Sequence, residues 1–217
     1  MMTIDLDDLE HDALAELGNI GVARASTALS RMLGAAVRIS VPTVEIVPSG
    51  RVVQVLEAAL PERLVAVSEG LSGAFRGTAI LLVPAHRSLS LASAALPPEV
   101  PKEQAAELEG EALAEVGNIV LNSCLSVMAN LLGTGITTTL PAVHCGSAAE
   151  ILEASGLDSG PLAASILFHI SFDAQPQDVA GQIVLALDSG SAAGLKAALG
   201  TYIGRVLRRT HPGAGAP

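Results

Sequence analysis

DALAELGNI at residues 12–20 and EALAEVGNI at residues 111–119 are two versions of one segment. They stand at a constant offset of 99 residues, and the correspondence continues without a gap. Both copies proceed to Leu-Gly, at Leu33-Gly34 and Leu132-Gly133, and then to a proline, Pro42 and Pro141. About a third of the positions from 12 to 42 are identical to their counterparts. A weaker echo joins GTAILLVPAHRSLSLASAAL (77–96) to GQIVLALDSGSAAGLKAAL (181–199). Two copies of so long a unit do not make a solenoid. They point to an internal duplication in which the halves share one sheet and one core.

Each half reads helix, strands, helix. In the first, Leu14, Leu17, Gly21, Ala25, Ala28, Met32 and Leu33 recur at helical spacing, from an N-cap at Asp5 to a stop at Gly34. Val37, Ile39 and Val41 alternate as a strand ending at Pro42, and Val44 to Val47 is extended. Strands follow at 64–71 and 77–83, then a short helix at 86–96. The segment PPEVPK (97–102) is the internal boundary. The second half predicts a helix from about residue 103 to 132, strands at 136–140, 162–172 and 180–187, and a helix at 191–199. The expectation is a single α+β domain over residues 1–210, with repeats at about 5–99 and 100–205 and pseudo-twofold symmetry. Residues 211–217 lack a core-forming pattern and read as a tail. Strand order does not follow from the pattern.

Asp12, Glu16 and Asn19 fall within about 60° of one another on a helix turning about 100° per residue. Ala23, Ser26, Thr27 and Ser30 share their sector, and the apolar residues lie opposite. The second helix repeats the stripe with Glu111, Glu115 and Asn118, extended by Asn122 and Ser126. One such stripe is ordinarily only a wet helix face. Its recurrence weighs toward function, because Glu and Asn recur at matched surface positions where a core residue, Leu17 against Val116, has changed. Gly18 and Gly117, also matched, suggest close helix packing, since mid-helix glycine costs about 1 kcal/mol relative to alanine.

Composition removes several classes. Net charge is −10, which disfavours nucleic acid. No apolar run approaches the roughly 20 residues of a membrane span, and the acidic N-terminus does not read as a secretory signal. Cys124 and Cys145 have no CxxC spacing, fit a reduced, cytoplasmic setting and read as core or near-core residues. The five histidines, His11 among them on the helix surface, form no metal-ligand spacing. A di-metal bundle wants Glu-x-x-His, and neither helix has the histidine. Glycosidase carboxylates come from separate elements of a sugar cleft, and aromatics for stacking are scarce. No phosphate-binding GKS/T and no G-x-S-x-G elbow occurs.

The spacing Asp/Ser-x3-Glu-x2-Asn-x22-Pro resembles the signature of the CheC/CheX/FliY phosphatases of chemotaxis. Asp12, Glu16, Asn19 and Pro42 meet it in the first half. Glu115, Asn118 and Pro141 meet it in the second, where Glu111 departs from Asp or Ser by one methylene. The duplication resembles the two-site CheC arrangement, since the sequence shows no further flagellar-switch domain of the FliY kind. The resemblance implies a CheC-like fold with long helices packed on a mainly antiparallel sheet. It also implies hydrolysis of the aspartyl phosphate of a CheY-like receiver, with CheD as a further expected partner. Asn19 and Asn118 would then orient the attacking water, and Glu16 and Glu115 would engage the receiver's lysine. Asp12, Glu111, Pro42 and Pro141 would support them. No cofactor or metal of the chain's own is expected, Mg²⁺ being carried by the receiver, and a monomer is adequate. The rival reading is a non-catalytic adaptor of the same fold that binds a receiver or CheD.

Overall fold

The computed structural model describes residues 4–34, 36–96, 100, 107–157, 162–174 and 177–210. Helix α1 spans Asp8–Leu33. Its N-cap is Asp7, not the expected Asp5: the Asp7 carboxylate accepts from Glu10 N–H at 2.8 Å, and the Asp7 N–H donates to Glu10 Oε2 at 3.0 Å. This reciprocal pair satisfies two of the orphan donors at the helix start. Gly34 closes α1 in the left-handed region at φ 63°, which a residue with a Cβ adopts at a cost. Strand β1 (Val37–Pro48) follows, then a 3₁₀ turn (Ser49–Arg51), α2 (Val52–Ala59), β2 (Leu64–Gly73), β3 (Gly77–Pro84) and α3 (Ala85–Ala95). The second half gives α4 (Glu109–Leu132), β4 (Ile136–Thr138), β5 (Ala142–Gly146) and α5 (Ala148–Ala154). It ends with β6 (Leu162–Ala174), β7 (Gln177–Asp188) and α6 (Ser189–Thr210). Helices α2 and α5 and strand β5 were not expected. The boundary at 97–102, apart from residue 100, and the tail at 211–217 lie outside the described residues.

The seven strands form one antiparallel sheet in the order β1-β6-β7-β3-β2-β4, with β5 also on the outer side of β2. The order reads alike from both ends when β1 matches β4/β5, β6 matches β2 and β7 matches β3. Each half therefore contributes its first strand to the edge beyond the other half's second strand. Alternation along the strands then makes two cores. Val65, Val67, Ala79, Leu81, Phe168, Ile170, Ile183 and Leu185 face α1, α3, α4 and α6. Leu64, Ala66, Ile80, Leu82, Leu167 and Val184 face α2 and α5 on the other side. Leu14 and Leu17, both fully buried, anchor α1, each contributing about 1.5–3 kcal/mol.

Two details set where the polar stripes lie. A Cβ on Gly18 would stand 2.8 Å from the Phe168 ring, and one on Gly117 2.5 Å from the Val67 side chain. The matched glycines thus let matched helices rest on matched strands, as their spacing suggested. The α1–α4 crossing is equally close, with a Cβ on Gly21 2.8 Å from Cys124 Cα. By length and composition helix α4 passes as a membrane span, although Glu115, Asn118 and Asn122 interrupt its apolar run; 56% of its most apolar window is buried inside the protein. Two sequence expectations fail locally. Met32 is 37% exposed rather than core, and Cys145 is exposed on the edge strand β5.

Candidate functional site

The first stripe sits where α1 overlies the sheet edge. An edge strand presents unpaired N–H and C=O groups that need partners. Side chains of α1 supply them to β1. Ser30 Oγ accepts from Val37 N–H (2.9 Å), Ser26 Oγ from Ile39 N–H (2.8 Å) and Asn19 Oδ1 from Val41 N–H (3.3 Å). His11, expected on the surface, is half-buried, with Nε2 3.0 Å from Val44 O as donor. The interval between Asn and Pro in the motif thus measures a helix-to-edge stitch. Asn19 holds the N–H immediately before Pro42, which has none to offer. Between Ser40 and Thr43 the β1–β6 register slips, two residues of β1, Val41 and Pro42, standing opposite one of β6, Ile170. This bulge switches the inward positions from Val37, Ile39 and Val41 to Val44. Asp12, Glu16 and Asn19 are all exposed.

In the second stripe Glu111 and Glu115 are exposed and Asn118 is half-buried. The stitches are missing, because the counterparts of His11, Ser26 and Ser30 are Gly110, Leu125 and Ala129. The edge strand accordingly breaks into β4 and β5, with Pro141 half-buried in the gap and Leu140 beside it 89% exposed. Asn118 Oδ1 accepts instead from Asn122 Nδ2 at 2.5 Å, and Asn122 Oδ1 accepts from Thr138 Oγ1 at 3.2 Å. Each amide therefore has its oxygen tethered on the protein side. The Nδ2 groups of Asn19 and Asn118 have no hydrogen-bond partner among the described residues, and neither do the carboxylates of Glu16 and Glu115. An outward acid, and an amide one turn on with a free donor, can together receive a cation and a polar oxygen from a docked partner.

Sequence reasoning missed Glu69 on β2. It is 0% exposed, and neither carboxyl oxygen has a hydrogen-bond partner. Burial pushes its pKa up to about 7, with the neighbouring Thr138 hydroxyl pulling the other way. The available signal was an acid at an inward position of Val65, Val67, Glu69, Leu71. Elsewhere, burial raises the Cys124 thiol to about 12, which keeps it inert. His86 lies 2.6 Å from Glu62, His169 3.6 Å from Glu45 and His144 3.0 Å from Ser68 Oγ. Among the described residues no three His, Cys, Asp or Glu side chains converge as a metal-binding set.

The CheC-like family model matches residues 9–46, a span that contains Asp12, Glu16, Asn19 and Pro42. Over 185 residues the chain is 25% identical to the flagellar motor switch phosphatase FliY of Bacillus subtilis (strain 168), covering 84% of this chain. It spans about half of that relative's length, 47%. The crystal structure of Thermotoga maritima FliY superposes with a TM-score of 0.71 at 22% identity, over 92% of this chain and 98% of that one. The FliM middle domain from H. pylori gives 0.59 at 13% identity, over 89% and 99%. These two likenesses show the fold, the α+β architecture expected from the sequence. The motif in α1 and β1, where the CheC-like family model matches, and the B. subtilis relative together make the chain similar to the CheC-like family.

Proposed function

We propose that this chain hydrolyses the aspartyl phosphate of a CheY-like receiver in chemotaxis signalling, in the cytoplasm. The observation that carries the reading is the matched pair of outward carboxylates and amides, Glu16 with Asn19 and Glu115 with Asn118, each amide keeping its donor nitrogen free. The family match over the first motif and the phosphatase name of the B. subtilis relative support it.

An aspartyl phosphate is an activated acyl phosphate. Hydrolysis requires a water in line with the leaving aspartate oxygen. The water oxygen bonds to phosphorus, the phosphorus–carboxyl oxygen bond breaks, and aspartate departs as a carboxylate. Such a step depends on positioning and on stabilising phosphoryl charge. Asn19 or Asn118 fixes the water by hydrogen bonding, and a neutral amide does so without repelling the phosphoryl oxygens. Glu16 or Glu115 pairs with the receiver's lysine and orients the docked protein. Mg²⁺ belongs to the receiver and offsets charge there. Asp12 and Glu111 add to the acidic approach, while Pro42 and Pro141 shape the strand beneath each site.

The test is decay of phosphorylated receivers from the source cell, with and without this chain. Replacing both Asn19 and Asn118 by alanine should abolish the acceleration, and each single variant should leave the other site working. Full activity in the double variant excludes the mechanism. Receiver binding with an unchanged phosphate lifetime identifies an adaptor instead.

A further inference from the structure

The two sites differ behind their asparagines. Ile39 pairs with Phe172 at one end of the sheet as Thr138 pairs with Leu71 at the other. Two residues back along the inner strands stand Ile170 and Glu69, and the counterpart of Asn122 on α1 is Ala23. The first half therefore carries Ala23, Ile39 and Ile170 where the second carries Asn122, Thr138 and Glu69. A wholly buried acid takes an isoleucine's place, and two polar groups connect its neighbourhood to Asn118.

The connection has one ambiguous link. Thr138 carries a single hydroxyl hydrogen, which goes to Asn122 Oδ1 at 3.2 Å, and the Glu69 carboxyl beside it is left without a partner. A protonated carboxyl is itself a donor, and its carbonyl oxygen is a neutral acceptor with no greater claim on that hydrogen than the Asn122 amide oxygen. An ionised one accepts only, and is the stronger acceptor of the two. Ionisation of Glu69 thus draws the Thr138 hydrogen away from Asn122. The Asn122 amide then loses the bond that fixes its orientation toward Asn118 Oδ1.

We propose that Glu69 is a positioning residue of the second site, whose protonation state decides, through Thr138 and Asn122, whether the Asn118 amide is held. The first site has no such control. Burial places the change near neutral pH. The ionisable residues on the elements packed against β2 are His86 and Arg87 on α3, Glu109, Glu111, Glu115 and Cys124 on α4, and His144 and Cys145 on β5. Strands β3 and β4 have none. No charged group contributes to the shift of Glu69, which comes from burial opposed by the Thr138 hydroxyl. The catalytic consequence rests on the reading of Asn118 given above, whereas the hydrogen-bond relay does not.

The chain has four asparagines, so their side-chain amide signals can be followed individually by NMR in the protein alone. On titration through neutrality, Asn118 and Asn122 should shift together with a midpoint of about 7 while Asn19 stays flat. In Glu69→Gln and Glu69→Ile the movement should vanish. In Thr138→Val the acid still titrates, and Asn118 should no longer follow it. A flat Asn118 signal in the unaltered chain, or the same titration in Glu69→Gln, overturns the proposal. With Asn19→Ala isolating the second site, receiver dephosphorylation should be faster on the acid side of a step near neutrality. That step should be lost in Glu69→Gln and absent when Asn118→Ala isolates the first site. Titrating amides with no dephosphorylation at any pH would sustain the relay and sink the phosphatase reading.

Discussion

The side-chain oxygen of Asn19 accepts a hydrogen bond from the backbone N–H of Val41 at 3.3 Å, one residue before Pro42. The residue that the motif marks for chemistry is therefore also a seal on the sheet edge. One amide meets both demands because its two ends differ: the oxygen serves the fold and the nitrogen is left for a partner. The register slip at Val41 and Pro42 is held in place by the same bond.

The two roles separate by substitution. Asn19→Asp keeps an acceptor for Val41 and removes the amide donor, and Asn19→Ala removes both. Urea unfolding should show a loss of about 1 kcal/mol for Asn19→Ala and a smaller loss for Asn19→Asp. In an Asn118→Ala background both should abolish receiver dephosphorylation. Equal destabilisation by the two variants would mean that the Val41 bond contributes nothing to stability.

Alanine at Gly18 or Gly117 gains about 1 kcal/mol of helix propensity but places a methyl 2.8 Å from Phe168 or 2.5 Å from Val67. Packing strain of about 1–3 kcal/mol outweighs that gain. Both variants should unfold at lower urea, Gly117→Ala more so, since its contact is shorter and involves a stiff β-branched side chain. Gly110→Ala, with nothing within 4 Å, should be neutral or stabilising. A stabilised Gly117→Ala would disprove the seating of α4 on β2.

Much of this layout is legible in the sequence because the decisive signals are local. Helices α1 and α4 show their period and their Leu-Gly stops, and the repeat exposes Gly18 with Gly117. What stayed hidden is either short or distant. Helix α2 starts at Arg51 without a side-chain cap, so VVQVLEAA reads as either a strand or a helix. Helix α5 did carry a signal, the capping box of Ser147 and Glu150, in a run too short for a clear period. The exchange of edge strands pairs β1 with β6, residues more than a hundred positions apart, and no local pattern encodes that. Glu69 went unremarked because its burial, at 0% exposure, depends on tertiary packing rather than on local pattern.

The start of α1 offers a direct comparison. Asp7 closes the capping box with Glu10, whereas the exposed Asp5 contributes its backbone oxygen to Lys196 Nζ. Asp7→Ala should cost about 1 kcal/mol and Asp5→Ala close to nothing in thermal or urea unfolding. The reverse ranking would return the cap to Asp5.

Glu69 makes the stability of the whole protein depend on pH in an unusual direction. Its pKa rises from 4.5 to about 7 on folding, so the folded state holds the proton more tightly than the unfolded chain does. Stability from the protonated form is therefore complete below about 4.5, falls as pH rises toward 7, and changes no further above that. At about 1.4 kcal/mol per pH unit, the loss is on the order of 3–4 kcal/mol. Glu69→Gln cannot ionise and escapes it. The variant should match the unaltered chain near the acid end of that window and be more stable by that amount on the alkaline side, with an unchanged urea m-value. Parallel stability curves for the two proteins would mean that Glu69 is hydrated in solution, and the relay to Asn118 would then lose its driving force.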